Sequence, residues 1–127
     1  MVEFILYVKN QQLSKDFYQK LLSASPVLDV PGMTEFLLEK NVKLGLMPED
    51  GIQKILANRV PHPKTGNGIP RCELYLYVSD PGTYFNKAIQ LGATVISELS
   101  PRDWGDEVAY CADTDGNILA FAKKINP

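Results

Sequence analysis

Histidine is almost missing from this chain: His62, set between Pro61 and Pro63, is the only one in 127 residues. No Ser-His-Asp or Cys-His arrangement assembles around a lone imidazole in a proline-rich loop, so nucleophilic catalysis of that kind is excluded. Cysteine is nearly as scarce. Cys72 and Cys111 lack CxxC spacing and read as two small buried thiols in a reducing compartment. An excess of positive charge is absent too, with 13 basic against 15 acidic side chains and a net charge of −2. Nothing neutralises a phosphate backbone, which excludes nucleic acid as a partner. The GNG at 66–68 has neither the lysine nor the strand-helix setting of a phosphate loop. No run approaches the roughly 20 apolar residues of a membrane span. The opening MVEFILYVKN has no basic leader region and no small-residue cleavage site. It reads as a strand, and the expectation is a cytoplasmic protein without membrane contact.

What is present is ordinary globular material, 45% apolar and 22% charged, enough for one domain spanning 1–127. Within it one strand is written twice. EFILYV at 3–8 returns inside CELYLYV at 72–78, with Glu3/Glu73, Leu6/Leu76, Tyr7/Tyr77 and Val8/Val78 each 70 residues apart.

Each copy is followed by a helical pattern. After the first, Asn10 is placed to cap a helix whose inner face is predicted at Leu13, Phe17 and Leu21. After the second, Asp80 precedes Pro81 as a cap precedes a first-turn proline; Phe85, Ala88 and Ile89 form the apolar face and Gly92 ends the helix. Three short strands then follow in each half: SPVLDV, TEFLLEK and VKLGLMP in the first, ATVISEL, EVAYCA and NILAFAKK in the second. The last two are joined by DTDGN at 113–117, a tight hairpin turn.

Both halves thus read β-α-β-β-β, a first module over 1–48 and a second over 71–127. Residues 49–70 between them form a linker or lid, in which Ile52, Ile55, Leu56 and Val60 can make a short helical turn. The fold class is α+β: two paired βαβββ modules forming a cup-shaped curved sheet with the helices outside. Alternation assigns Phe4, Leu6, Val8 and Leu74, Leu76, Val78 to the helix side. It leaves Glu3, Ile5, Tyr7 and Glu73, Tyr75, Tyr77 for the concave side.

LYVKNQQLSKDFYQKLL, its echo LYVSDPGTYFNKAIQLGA and above all RDWGDEVAYCADTDGN resemble the vicinal oxygen chelate superfamily of glyoxalases, bleomycin-resistance proteins and extradiol dioxygenases. The resemblance covers nearly the whole chain outside 49–70 and is nearest to the bleomycin-resistance-like branch. One departure is Thr114, where the family usually has proline. Metal-dependent members carry chelating side chains at concave strand positions, which fall here on Glu3, Gly45, Glu73 and Ala120. Two of the four cannot bind a metal.

The resemblance therefore implies a metal-free small-molecule binding protein, without a cofactor and with two equivalent pockets in a homodimer. Its cup would hold a planar or basic ligand among Glu3, Tyr7, Lys43, Met47, Glu73, Tyr75, Tyr77, Trp104 and Tyr110. The alternative is a lyase, isomerase or dioxygenase with a divalent metal on Glu3 and Glu73. A third possibility makes one of those glutamates a general base without metal. His62 is expected to be an exposed loop residue.

Overall fold

The computed structural model describes residues 1–126. It is an α+β fold in two compact units, Met1–Asn67 and a second that begins at Gly68. The first unit runs β1 (Val2–Val8), α1 (Gln11–Leu22), β2 (Leu28–Val30), β3 (Met33–Glu39), β4 (Val42–Pro48) and α2 (Glu49–Leu56). Its sheet has the order β1-β4-β3-β2, with β1 parallel to β4 and the other pairs antiparallel. The second unit runs β5 (Glu73–Tyr77), α3 (Pro81–Gln90), β6 (Thr94–Pro101), β7 (Asp106–Ala112) and β8 (Ile118–Lys124). Its order, β5-β8-β7-β6, repeats the first. The duplicated strand is the outer strand of each sheet, paired in parallel with the last strand of its own module.

The predicted caps form. Asn10 Oδ1 accepts from the Leu13 amide and Asp80 Oδ1 from the Thr83 amide, each satisfying one of the first free N–H groups of its helix. Gly92, at φ +106°, takes the chain out of α3. The inner face of α1 differs from the prediction: Ser14, Phe17, Tyr18 and Leu21 are buried, whereas Leu13 is 65% exposed. Residues four apart drift by about 40° per step around a helix of 3.6 residues per turn, so a strict i+4 series runs off the stripe at one end, here at its first member.

Leu6 and Val8 are buried with Phe36, Leu44 and Leu46, as alternation requires. Phe4, assigned to the same side, is largely exposed. It sits near the start of the edge strand, while α1 packs chiefly on β3 and β4. In the second unit Phe85 and Ala88 pack down with Leu119 and Phe121. The Tyr84 ring lies 5.7 Å from that of Phe121.

Residues 49–70 are more structured than a turn. They hold α2, whose Ile52 is buried and which packs on β1 and β4, and two 3-10 turns, Ala57–Arg59 and Pro63–Gly66. Ile55 and Val60 remain exposed. The hairpin at 113–117 closes as predicted, with Asp113 Oδ1 accepting the amides of Asp115 and Asn117. At Gly116, φ is +86°, and a Cβ there would stand 2.7 Å from Gly68 Cα. Two glycine backbones thus touch where no side chain fits. Of the cysteines, Cys111 is buried but Cys72 is exposed. Burial pushes the Cys111 thiol up to about 11, which leaves it inert. Among the described residues no helix is long and apolar enough to cross a membrane.

Candidate functional site

Register fixes which side chains share the face away from α1. Glu3 lies opposite Lys43, Ile5 opposite Gly45 and Tyr7 opposite Met47, and Glu35 and Leu37 of β3 align with Gly45 and Lys43. Glu3 reaches over Gly45 so closely that a Cβ on that glycine would fall 2.4 Å from Glu3 Oε2. No amide, hydroxyl or ammonium donor meets that buried oxygen. The charged groups that act on Glu3 are the Glu35 carboxyl and the Lys43 ammonium. Burial, then Glu35, holds Glu3 above the usual carboxylate range, while Glu3 holds Glu35 below it. Lys43 Nζ closes the group, 3.2 Å from Glu35 Oε1. Glu35 carries no counterpart in the sequence reading; its alternation along TEFLLEK was the available signal.

In the second unit the corresponding face is built on small side chains. Val108, Ala120 and Ala122 form a buried floor, against which Tyr75 and Tyr110 pack. Around it the rings are tied to one carboxylate. Asp106, 1% exposed, accepts the hydroxyl of Tyr75 at 2.6 Å and that of Tyr77 at 2.8 Å, both on Oδ2. The Tyr75 oxygen in turn accepts the indole N–H of Trp104 at 2.9 Å. The two tyrosine rings meet edge to face at 5.4 Å, a favourable aromatic geometry.

The tyrosine hydroxyls hold the Asp106 carboxyl below its ordinary range. Burial and the bond to Asp106 push Tyr75 up to about 12. Tyr110 is raised by burial and then by Glu73, and the Arg102 guanidinium lies 5.1 Å from its ring centroid. Arg102 is itself fixed by the Ser97 hydroxyl and the Glu98 and Val108 carbonyls. Asp106, in the RDWGD segment, is the residue that sequence reasoning passed over. It shares strand parity with Val108 and Tyr110, which placed it on this face.

The structure thus brings Glu3 and Lys43 together through Glu35, and Tyr75, Tyr77 and Trp104 together through Asp106. Glu73 acts on Tyr110 by charge alone. Tyr7 and Met47 complete the first unit's face without a polar role. Of the chelating positions, Gly45 lies beneath the Glu3 carboxyl, and Ala120 lies under Tyr75 and Tyr110. Among the described residues no group of three or more His, Cys, Asp or Glu side chains is placed to hold a metal ion. His62 is not the exposed loop residue expected, its side chain being 19% exposed: its Nδ1 accepts the Lys64 amide and its Nε2 faces Asp50 Oδ1 at 3.0 Å. That pattern makes it a cap for the second 3-10 turn.

The sequence profile of the Glyoxalase/Bleomycin resistance protein/Dioxygenase superfamily matches residues 1–121. The chain belongs to this superfamily. An uncharacterized protein of Mycobacterium bovis is 28% identical over 94% of this chain and 80% of its own. One of Mycobacterium tuberculosis has the same identity over 94% of this chain and 72% of its own. Among solved structures, a glyoxalase-related enzyme from Fulvimarina pelagi has a TM-score of 0.82 at 17% identity, covering 98% of this chain and 87% of that one. A superfamily enzyme from Burkholderia phytofirmans has a TM-score of 0.81 at 15% identity, covering 97% of each chain. At such identities the superfamily likeness in structure is one of fold.

Proposed function

We propose that this superfamily member is a metal-independent small-molecule binding protein that takes a planar ligand on the aromatic face of its second unit. One observation carries the reading: Trp104 and Tyr77, 59% and 58% exposed, are both tethered through hydroxyls to the buried carboxylate of Asp106. Large apolar rings left in water are costly to display. Rings that are displayed and also locked in one orientation are ready to stack on a flat partner with little ordering cost. Lys124 beside Asp106 and Arg102 over the Tyr110 ring balance the acids nearby, which favours planarity over positive charge as the first requirement.

Metal independence is supported by the donor set. Two chelating positions are Gly45 and Ala120, Glu3 is engaged with Glu35, and Lys43 already supplies a positive charge there. An ammonium beside a carboxyl pair competes with a divalent ion for the same negative charge.

The chain has one tryptophan, so its emission reports on the site alone. Titration with acridone, a neutral planar heterocycle, and 9-aminoacridine, a planar cation, is expected to quench Trp104 saturably and to raise the melting temperature. No saturable quenching by either, or a stoichiometric divalent ion in protein purified without chelator, would overturn the reading.

A further inference from the structure

The aromatic face already holds a cation that belongs to the chain. Lys124 stands opposite Asp106 in the β7/β8 pairing. Its Nζ is 3.8 Å from Asp106 Oδ1, 3.5 Å from the Tyr77 hydroxyl oxygen and 5.0 Å from the centre of the Tyr77 ring. The first two separations lie at the outer limit for an ion pair and a hydrogen bond; the third is an ordinary cation-ring distance.

The two sides of this contact are unequal. The Asp106 side chain is 2% exposed and that of Lys124 is 61% exposed. Asp106 Oδ2 takes two hydroxyl donors, but Oδ1 is buried and receives no hydrogen bond. A carboxylate oxygen shut away from water needs a partner, and the one within reach is a flexible ammonium at long range. An exposed lysine gains little from such contacts and loses rotamer freedom in keeping them. A rigid cation loses less.

We propose that Lys124 occupies a cation subsite formed by Asp106 Oδ1 and the face of Tyr77, and that an aromatic ligand carrying a protonated amine displaces it, its ring system resting against Trp104. The inference builds on the planar-ligand reading and adds a second requirement, a cationic nitrogen at one edge of the plane. Lys124 then acts as a built-in competitor: neutral planar molecules stack without disturbing it, whereas cationic ones must first move it aside.

Removing the competitor should therefore tighten one class only. In Lys124→Met, which keeps the aliphatic length, the Kd for 9-aminoacridine is expected to fall by about threefold to tenfold, from the modest strength of a surface ion pair and a cation-ring contact. The Kd for acridone is expected to stay within twofold. Lys123→Ala, one residue away, removes the same unit of charge and should change neither. Asp106→Asn, checked for folding by circular dichroism, should abolish the preference for the cation. An unchanged 9-aminoacridine Kd in Lys124→Met, or equal tightening toward both probes, overturns the inference while acridone binding leaves the planar-ligand reading standing. Failure of both probes to bind wild type and Lys124→Met removes both.

Discussion

Trp104 and Tyr75, 29 residues apart in sequence, are joined by a 2.9 Å hydrogen bond from the indole N–H to the phenolic oxygen. That bond makes an exposed ring part of a buried network, because the same oxygen donates its own proton to Asp106. Tyr75→Phe removes both links. The indole should gain motion, read as a fall in steady-state fluorescence anisotropy. With a charged acceptor losing one of its two donors, the melting temperature should drop by roughly 3–8 °C. An unchanged anisotropy would mean that the hydroxyl does not hold Trp104 in place.

The contact between Gly116 and Gly68 makes a sharper stability prediction. Gly116→Ala forces a methyl against a neighbouring backbone 2.7 Å away at positive φ. Gly92→Ala meets nothing within 4 Å and suffers only its φ of +106°. The Gly92 variant should lose about 1–2 kcal/mol from backbone strain, and the Gly116 variant distinctly more, in urea denaturation. Equal losses would show that the backbone contact yields easily.

Gly45 leads to the opposite expectation. The atom nearest its missing Cβ is the far end of a flexible side chain, Glu3 Oε2 at 2.4 Å. Gly45→Ala should therefore change stability by less than about 1 kcal/mol, within the range of tolerated substitutions, yet swing the Glu3 carboxyl toward water. Since burial is the main reason that carboxyl titrates high, its titration midpoint in carbon-13 NMR should move down toward the ordinary glutamate value. No movement would place the cause elsewhere.

The two carboxylate networks also give pH dependence of opposite sign. Asp106 titrates below its ordinary 3.8 in the folded chain. Its stabilising contribution is complete above that value and fades as pH falls through the lower, folded midpoint. Glu3 titrates above its ordinary 4.5. Its contribution is complete below 4.5 and fades as pH rises through the folded midpoint. Asp106→Asn should flatten the fall of the urea midpoint below about pH 4. Glu3→Gln should flatten the fall just above pH 4.5 and leave the acid side alone. The same slopes in wild type and variants would sever these groups from stability.

The repeat of Glu3, Leu6, Tyr7 and Val8 at 73, 76, 77 and 78 made the module plan legible, because a duplicated strand and two capped helices are written in local residues. The faces were legible too, since alternation is a property of any strand. What eluded the sequence was which members of a face are covered. Phe4 obeys the parity of Leu6 and Val8 but lies at the uncovered start of an edge strand. Ile52 is buried on a helix that packs on β1 and β4, where the sequence offered only a short helical turn within a linker or lid.

The candidate site was half legible. Tyr75, Tyr77 and Trp104 stand out as aromatics, but the group that organises them is Asp106, and the group that engages Glu3 is Glu35. Both are ordinary acids in ordinary strands. Their roles arise from pairing across β7/β8 and β3/β4, which no spacing along the chain encodes. Glu3 and Glu73 looked like partners because they repeat; in the structure the charged groups that act on Glu3 are Glu35 and Lys43 of its own module.

The strand order carries a consequence for the growing chain. In both sheets the strand made last is an inner one, β4 beside β1 and β8 between β5 and β7. During synthesis the first unit has all its strands once residue 48 has left the ribosome, whereas β5, β6 and β7 emerge with the place between β5 and β7 unfilled until residues 118–124 follow. For that interval the floor of Ala120 and Ala122 does not exist, and the tyrosine-bearing strand has no neighbour to pair with, the state in which an unpaired edge most readily meets another chain.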